Sequence, residues 1–115
     1  NGNVWLTERG SSFGYGRLVV DMTSLVEMKR FGCPVIFDAT HSVQQPSSLQ
    51  GVTGGNRQMV SPLVRAAVAV GVDGLFIETH PNPDEAISDA ANQVRLSDMD
   101  RLIEQVMAIE KVVRD

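Results

Sequence analysis

The sequence is poor in the residues that most often announce chemistry or location. Its 115 residues include one cysteine, Cys33, and two histidines, and aromatic residues make up only 5%. A single cysteine excludes an internal disulfide and a thiolate-only metal site. No apolar run approaches the ~20 residues that span a bilayer, and no basic-then-apolar leader opens the sequence, so membrane and secretory roles are not expected. The ten Lys and Arg residues are scattered and the formal net charge is −4, which argues against a nonspecific nucleic-acid surface. A hydrophobic content of 43% excludes disorder. What is left is a cytoplasmic enzyme or binding domain, of a length that by itself fits one domain.

The apolar pattern changes period regularly. Val4 to Glu8 reads as a short strand, followed by the glycine-rich Gly10 to Gly16 and a brief apolar Leu18-Val19-Val20. Asp21 to Phe31 reads as a helix, with Gly32 as its natural end. Pro34 to Ala39 is a continuous apolar run, the pattern of a buried parallel strand. Thr40 to Val60 reads as a long polar loop, of a length that is usually functional or disordered. Ser61-Pro62 then supplies a cap and first-turn proline for a helix over Leu63 to Val70. Val72 to Glu78 reads as a third buried strand, and Asn82-Pro83 as the start of a short helix. Ser97 is the expected cap of a last helix, with Met99, Leu102, Ile103, Val106, Ile109, Val112 and Val113 as its apolar stripe. Strand, helix, strand, helix, strand, helix implies an α/β fold with parallel strands and right-handed crossovers.

Ligands of parallel α/β folds bind outside the carboxyl ends of the strands. Here those ends read Thr7-Glu8-Arg9, Asp38-Ala39-Thr40-His41 and Glu78-Thr79-His80, each ionisable after an apolar start. His41 and Glu78 close adjacent strands, and Asp89 on a following loop can reach toward them. An imidazole with carboxylates suits Zn, Fe, Mn or Co better than Ca. The competing arrangement has His41 hydrogen-bonded locally and Glu78 paired with Arg9. Arg9 itself reads either as an anion clamp or as one half of a structural salt bridge. His80 is the weaker ligand, because Pro81 turns the chain. Gly54-Gly55-Asn56-Arg57 before a helix offers backbone N–H groups to an anion, yet it is no Walker loop, and Gly10 to Gly16 lacks the dinucleotide fingerprint. Cys33 sits at the strand end opposite this chemistry and is expected to be a buried, inert thiol.

Five segments in this order carry a resemblance: Leu6-Thr7-Glu8-Arg9-Gly10-Ser11-Ser12-Phe13-Gly14-Tyr15, Phe37-Asp38-Ala39-Thr40-His41-Ser42-Val43-Gln44, Gly54-Gly55-Asn56-Arg57, Arg65-Ala66-Ala67-Val68-Ala69 and Phe76-Ile77-Glu78-Thr79-His80-Pro81. Together they closely resemble the 3-deoxy-D-manno-octulosonate 8-phosphate synthases of lipopolysaccharide (Kdo) biosynthesis. The related 3-deoxy-heptulosonate phosphate synthases share the fold and the metal logic but match these words less well. The resemblance implies a (β/α)8 TIM barrel, with residues 1–115 supplying about the last three βα units of that single domain. Such a barrel takes ~250 residues, so the chain taken alone is expected to be inactive and poorly soluble. The resemblance further implies condensation of phosphoenolpyruvate with D-arabinose 5-phosphate, phosphate being released. A divalent metal would polarise the sugar aldehyde.

By the same resemblance, His41, Glu78 and Asp89 are metal ligands, and His41 and Asp89 carry catalytic roles. Arg9 is expected to hold the phosphoenolpyruvate phosphate, and Ser42, Gln44 and Arg57 to lie around the sugar phosphate. Ser88-Asp89-Ala90 with Asn92-Gln93 looks like the metal-dependent branch, whose fourth ligand position lies upstream. Gln58 departs from the glutamate that usually follows Gly-Gly-x-Arg. A homotetramer and a cytoplasmic location complete the expectation.

Overall fold

The computed structural model of the chain describes residues 2–49 and 52–114. The elements run β1 (Leu6–Glu8), β2 (Ser11–Ser12), β3 (Leu18–Val19), α1 (Met22–Met28), β4 (Val35–Asp38), β5 (Gln44–Leu49), β6 (Val52–Gly55), α2 (Val60–Val70), β7 (Gly74–Phe76), β8 (Thr79–His80), β9 (Val94–Arg95) and α3 (Met99–Val113). The three strands expected from the apolar runs form one parallel sheet in the order β1-β4-β7. Leu6 stands opposite Val35, and Phe37 opposite both Glu8 and Leu75. Asp73 holds the entry of β4, its Oδ2 accepting the Val35 N–H at 2.8 Å. No helix among the described residues is long and apolar enough to cross a membrane.

Strand alternation sends Val35 and Phe37 to one face, where both are fully buried with Leu25, Val64 and Ala67. Burial of a side chain such as Phe37 contributes about 1.5–3 kcal/mol. The opposite face is open. Trp5, Thr7, Ile36, Gly74 and Phe76 line a trough of about 690 Å³ there, and Trp5 is 72% exposed.

Helix ends follow the expected chemistry only in part. Asp21 caps α1, its Oδ1 accepting the Thr23 N–H at 3.0 Å, and Gly32 (φ +74°) ends the 3-10 turn Lys29–Phe31. Gly71 (φ +108°) ends α2, and its N–H and that of Val72 both donate to Ala67 O. Ser61 and Ser97 are not caps. α2 starts one residue before Ser61, behind a 3-10 turn over Arg57–Met59, and Ser97 lies inside the 3-10 turn Leu96–Asp98 that precedes α3. Both starts are tightened by backbone 3-10 hydrogen bonds instead. Pro62 is still tolerated, because first-turn N–H groups have no intrahelical partner.

Other boundaries move as well. The described residues between Thr40 and Val60 form regular structure, a 3-10 turn over His41–Val43 and then the antiparallel hairpin β5–β6, which pairs Gln44 with Gly55. Gln50 and Gly51 of that stretch lie outside the described residues. β7 is shorter than Val72 to Glu78, because the Glu78 N–H donates to Thr40 Oγ1 (2.7 Å) rather than to a strand. The α3 stripe is only partly covered: Leu102 is buried and Val106 half-buried, while Ile103 and Val112 are exposed. Cys33 is half-buried, not buried.

Candidate metal centre

Three segments at the carboxyl side of β4 and β7 deliver the site. β4 ends on Asp38, and the chain turns through Ala39 and Thr40 into the 3-10 turn that carries His41. Asp38 fixes that turn twice. Its Oδ1 accepts the His41 N–H at 2.9 Å, and its Oδ2 lies 2.7 Å from His41 Nδ1. With Nδ1–H donated to Asp38, the lone pair of Nε2 points the other way.

Nε2 faces two carboxylates, Glu78 Oε1 at 3.5 Å and Asp89 Oδ2 at 3.3 Å. One ligand atom from each of His41, Glu78 and Asp89 falls within 4.8 Å of the others, and all three side chains are half-buried. Glu78 is placed by its backbone, with its N–H on Thr40 Oγ1 and its carbonyl accepting the Val94 N–H at 3.0 Å. Asp89 is the one non-glycine residue with positive φ (+52°) among the described residues, a left-handed conformation that Asp tolerates better than most. Its carbonyl accepts the N–H groups of Asn92 and Gln93, and its Oδ1 accepts from Gln44 Nε2 at 3.2 Å.

Such a cluster needs a cation. Two carboxylate oxygens and an imidazole lone pair repel one another unless a proton or a metal stands between them. The donor set of one imidazole and two carboxylates suits a transition metal, and Asp38 behind the imidazole is the outer partner that metal-bound histidines usually have. The residues therefore fit a divalent metal.

The remaining expected residues divide. Arg9 does not pair with Glu78. Its Nη2 donates to Gln44 Oε1 at 3.3 Å, so Gln44 bridges Arg9 to Asp89. Ser42 is 2% exposed and its Oγ has no hydrogen-bond partner. Arg57 Nη2 reaches Asp84 Oδ1 (3.0 Å) and Ala90 O (2.5 Å), which ties it to the loop that presents Asp89. Gly55 lies in β6 against the Asn92 side chain, where any Cβ would collide with Oδ1, so this glycine serves close packing rather than an anion loop. His80 turns aside, its Nδ1 accepting the Asn82 N–H at 2.9 Å. Sequence reasoning gave no role to Asp38 or Thr40. The signal for Asp38 was present, an acid three residues before the histidine at a strand end.

The family model described as the DAHP synthetase I family matches residues 1–114. The chain belongs to the DAHP synthetase I family. Within this family it is 59% identical over 114 residues to a protein of Agrobacterium fabrum named 2-dehydro-3-deoxyphosphooctonate aldolase, an overlap covering 99% of this chain and 40% of that protein. Proteins of the same name from Syntrophotalea carbinolica and Helicobacter hepaticus are 54% and 59% identical, over 99% and 96% of this chain. In each of these two the overlap covers 41% of the relative, so the chain spans about two fifths of the length of these family members.

Proposed function

We propose that this chain is the C-terminal part of a single (β/α)8-barrel domain, residues 1–115 providing its last three βα units. The enzyme it belongs to joins phosphoenolpyruvate to D-arabinose 5-phosphate, giving 3-deoxy-D-manno-octulosonate 8-phosphate and phosphate. The observation that carries this reading is the convergence of His41 Nε2 with Glu78 and Asp89 at the carboxyl end of parallel strands, with Asp38 behind the ring. The name shared by the relatives, which denotes Kdo-8-phosphate synthase, supports the choice of sugar. The open sheet face supports the barrel, because in a closed barrel Trp5, Ile36 and Phe76 would fill the interior.

His41, Glu78 and Asp89 would hold the divalent metal, Zn, Fe, Mn or Co by donor type. When bound, it supplies Lewis acidity toward the aldehyde oxygen of the sugar phosphate. The chain's own residues do the rest. Asp38 keeps the His41 ring in one tautomer and one orientation. His41 and Asp89, with Nε2 and Oδ2 3.3 Å apart, are the catalytic pair of this reading and would orient the sugar aldehyde from the ligand cluster itself. Arg9, at the end of β1, offers its guanidinium to the phosphoenolpyruvate phosphate. Gln44 couples that arginine to Asp89, so phosphate binding and the position of Asp89 are linked. Ser42, whose buried hydroxyl has no partner, and Arg57, beside the Asp89 loop, are assigned to the sugar phosphate by the family resemblance. C3 of phosphoenolpyruvate then bonds to the aldehyde carbon, water adds at C2, and cleavage of the C2–O bond releases phosphate. A cytoplasmic homotetramer belongs to the same reading.

The test is phosphate release by the full-length protein, assayed with arabinose 5-phosphate and with erythrose 4-phosphate. Turnover of arabinose 5-phosphate, lost on chelation and restored by metal, is expected. Turnover of erythrose 4-phosphate alone would make the protein a heptulosonate-type enzyme and overturn the assignment.

A further inference from the structure

Outside the His41 cluster, one cavity concentrates charge of a sign the chain otherwise lacks. It measures about 550 Å³ and lies between the start of α2 and the start of α3. Arg57, Arg65, Arg95 and Arg101 line it, four of the chain's ten basic residues, in a protein of net charge −4. Asp98 is the one acidic residue in its wall. None of His41, Glu78 or Asp89 takes part.

Three of the four guanidinium groups make no ion pair with a carboxylate among the described residues. Arg65 Nη1 donates to two neutral acceptors, Ser61 Oγ at 2.9 Å and Gln105 Oε1 at 3.4 Å, which orient it without cancelling its charge. Arg95 and Arg101 are exposed and make no ion pair among the described residues. Only Arg57 has an acidic partner, Asp84 at 3.0 Å. Ser61 and Pro62 in the first turn of α2 also line the cavity, and neither α2 nor α3 has a side-chain cap, so two uncapped helix starts meet at this site. Helix starts favour anions, and guanidinium forks suit phosphate oxygens. The volume falls within the ~300–1,000 Å³ usual for small-molecule sites and is too large for one phosphate. Every wall residue lies in 57–65 or 94–105, so the cavity is complete within this chain.

We propose that this cavity binds a small molecule carrying two linked phosphate groups, at a site distinct from the metal centre. One phosphate would take Arg65 at the start of α2, and the other Arg95 with Arg101 from the α3 side, while Arg57 stays tied to Asp84 in the wall. Inorganic diphosphate and a nucleoside diphosphate share this chemistry.

Calorimetric titration of the full-length protein with pyrophosphate, ADP and inorganic phosphate tests it, with citrate as a carboxylate control. Pyrophosphate is expected to bind about tenfold or more tighter than inorganic phosphate or citrate. The variant Arg95→Ala with Arg101→Ala should weaken pyrophosphate by about tenfold or more. Its fold is expected to survive, because neither side chain holds a structural contact, and an unchanged thermal unfolding midpoint checks this. Arg101→Glu, which adds repulsion, should weaken pyrophosphate further. His41→Ala should leave the binding intact, which separates this site from the metal centre. ADP binding as tightly as pyrophosphate makes the nucleotide the occupant, and weaker ADP binding makes it the inorganic anion; both support the site. Unchanged pyrophosphate affinity in the double variant, loss of binding in His41→Ala, or equal binding of citrate would each overturn the proposal.

Discussion

β4 serves two very different surfaces within four residues. At its carboxyl end Asp38 binds His41 through both carboxylate oxygens, His41 faces Glu78 and Asp89, and Gln44 ties Asp89 to Arg9. Each group there is positioned by another that lies within the chain. One residue earlier on the same strand, Phe37 is fully buried on the covered face, while its neighbour Ile36 looks into an open trough beside Trp5 and Phe76. Polar order is local here, and apolar order is not. A hydrogen-bonded cluster can be completed by a few loops, whereas a sheet face is completed only by a second layer. The proposed metal-ligand cluster can therefore be specified by a chain whose hydrophobic core is specified on one side only.

The largest effect expected from this contrast is in stability. Phe37→Ala removes a fully buried ring from the covered face and should cost about 3–5 kcal/mol. Trp5→Ala, on the open face of this chain, should stay within about 0.5 kcal/mol. Denaturant unfolding of both variants of this chain measures the difference. A large cost for Trp5→Ala would mean that the open face is covered after all, by self-association or by another segment, and the contrast between the faces would collapse. In the full-length protein the proposed barrel makes the opposite prediction for Trp5, a cost approaching that of Phe37.

The next effect is in metal binding. His41→Ala should lower affinity for a divalent metal by more than about 100-fold, since it removes a ligand itself, and activity should fall with it. Asp38→Asn should lower it by about 10–100-fold with little loss of stability, because an amide can still hydrogen-bond yet no longer carries the charge that fixes Nδ1–H. Metal titration of the full-length protein, followed by competition with a chelator, reads both. Equal losses in the two variants would make Asp38 part of the coordination set. No loss in Asp38→Asn would remove it from the site.

The sequence made these two surfaces legible to different degrees. The parallel strands were readable because a continuous apolar run such as Val35-Ile36-Phe37 has few other homes, and His41 and Glu78 because ionisable residues followed such runs. Asp89 was readable only as a loop residue within reach and through the family resemblance, since its position depends on a left-handed backbone and on Gln44, Asn92 and Gln93, contacts that no local pattern encodes. The hairpin β5–β6 escaped notice because Gln44, Gln45 and the glycines opposite them show no apolar alternation, and the pairing is made by backbone groups. Ser61 and Ser97 misled as caps because backbone 3-10 turns had already closed both helix starts. Propensity reports what a residue can do, and the tertiary neighbours decide whether it is needed.

The smallest effect concerns α1, which covers only the closed face. Hydrogen bonds from Thr23, first its hydroxyl at 2.5 Å and then its N–H at 3.0 Å, hold the Asp21 carboxyl below the usual carboxylate range. A carboxyl whose pKa is lower folded than unfolded stabilises the fold above its unfolded pKa, and that contribution disappears as pH falls through the lowered folded value. Asp21→Ala should therefore unfold at a slightly lower temperature than the parent at neutral pH, with the gap narrowing once both are acidified below the carboxylate range. The side chain is exposed, so the gap is small at every pH. A gap that widened on acidification would show that Asp21 acts through something other than its charged cap. A matching loss of metal affinity would show that the helix-covered face and the polar strand ends are coupled through Glu8, whose Oε2 accepts the Ser24 hydroxyl of the same helix turn at 2.5 Å.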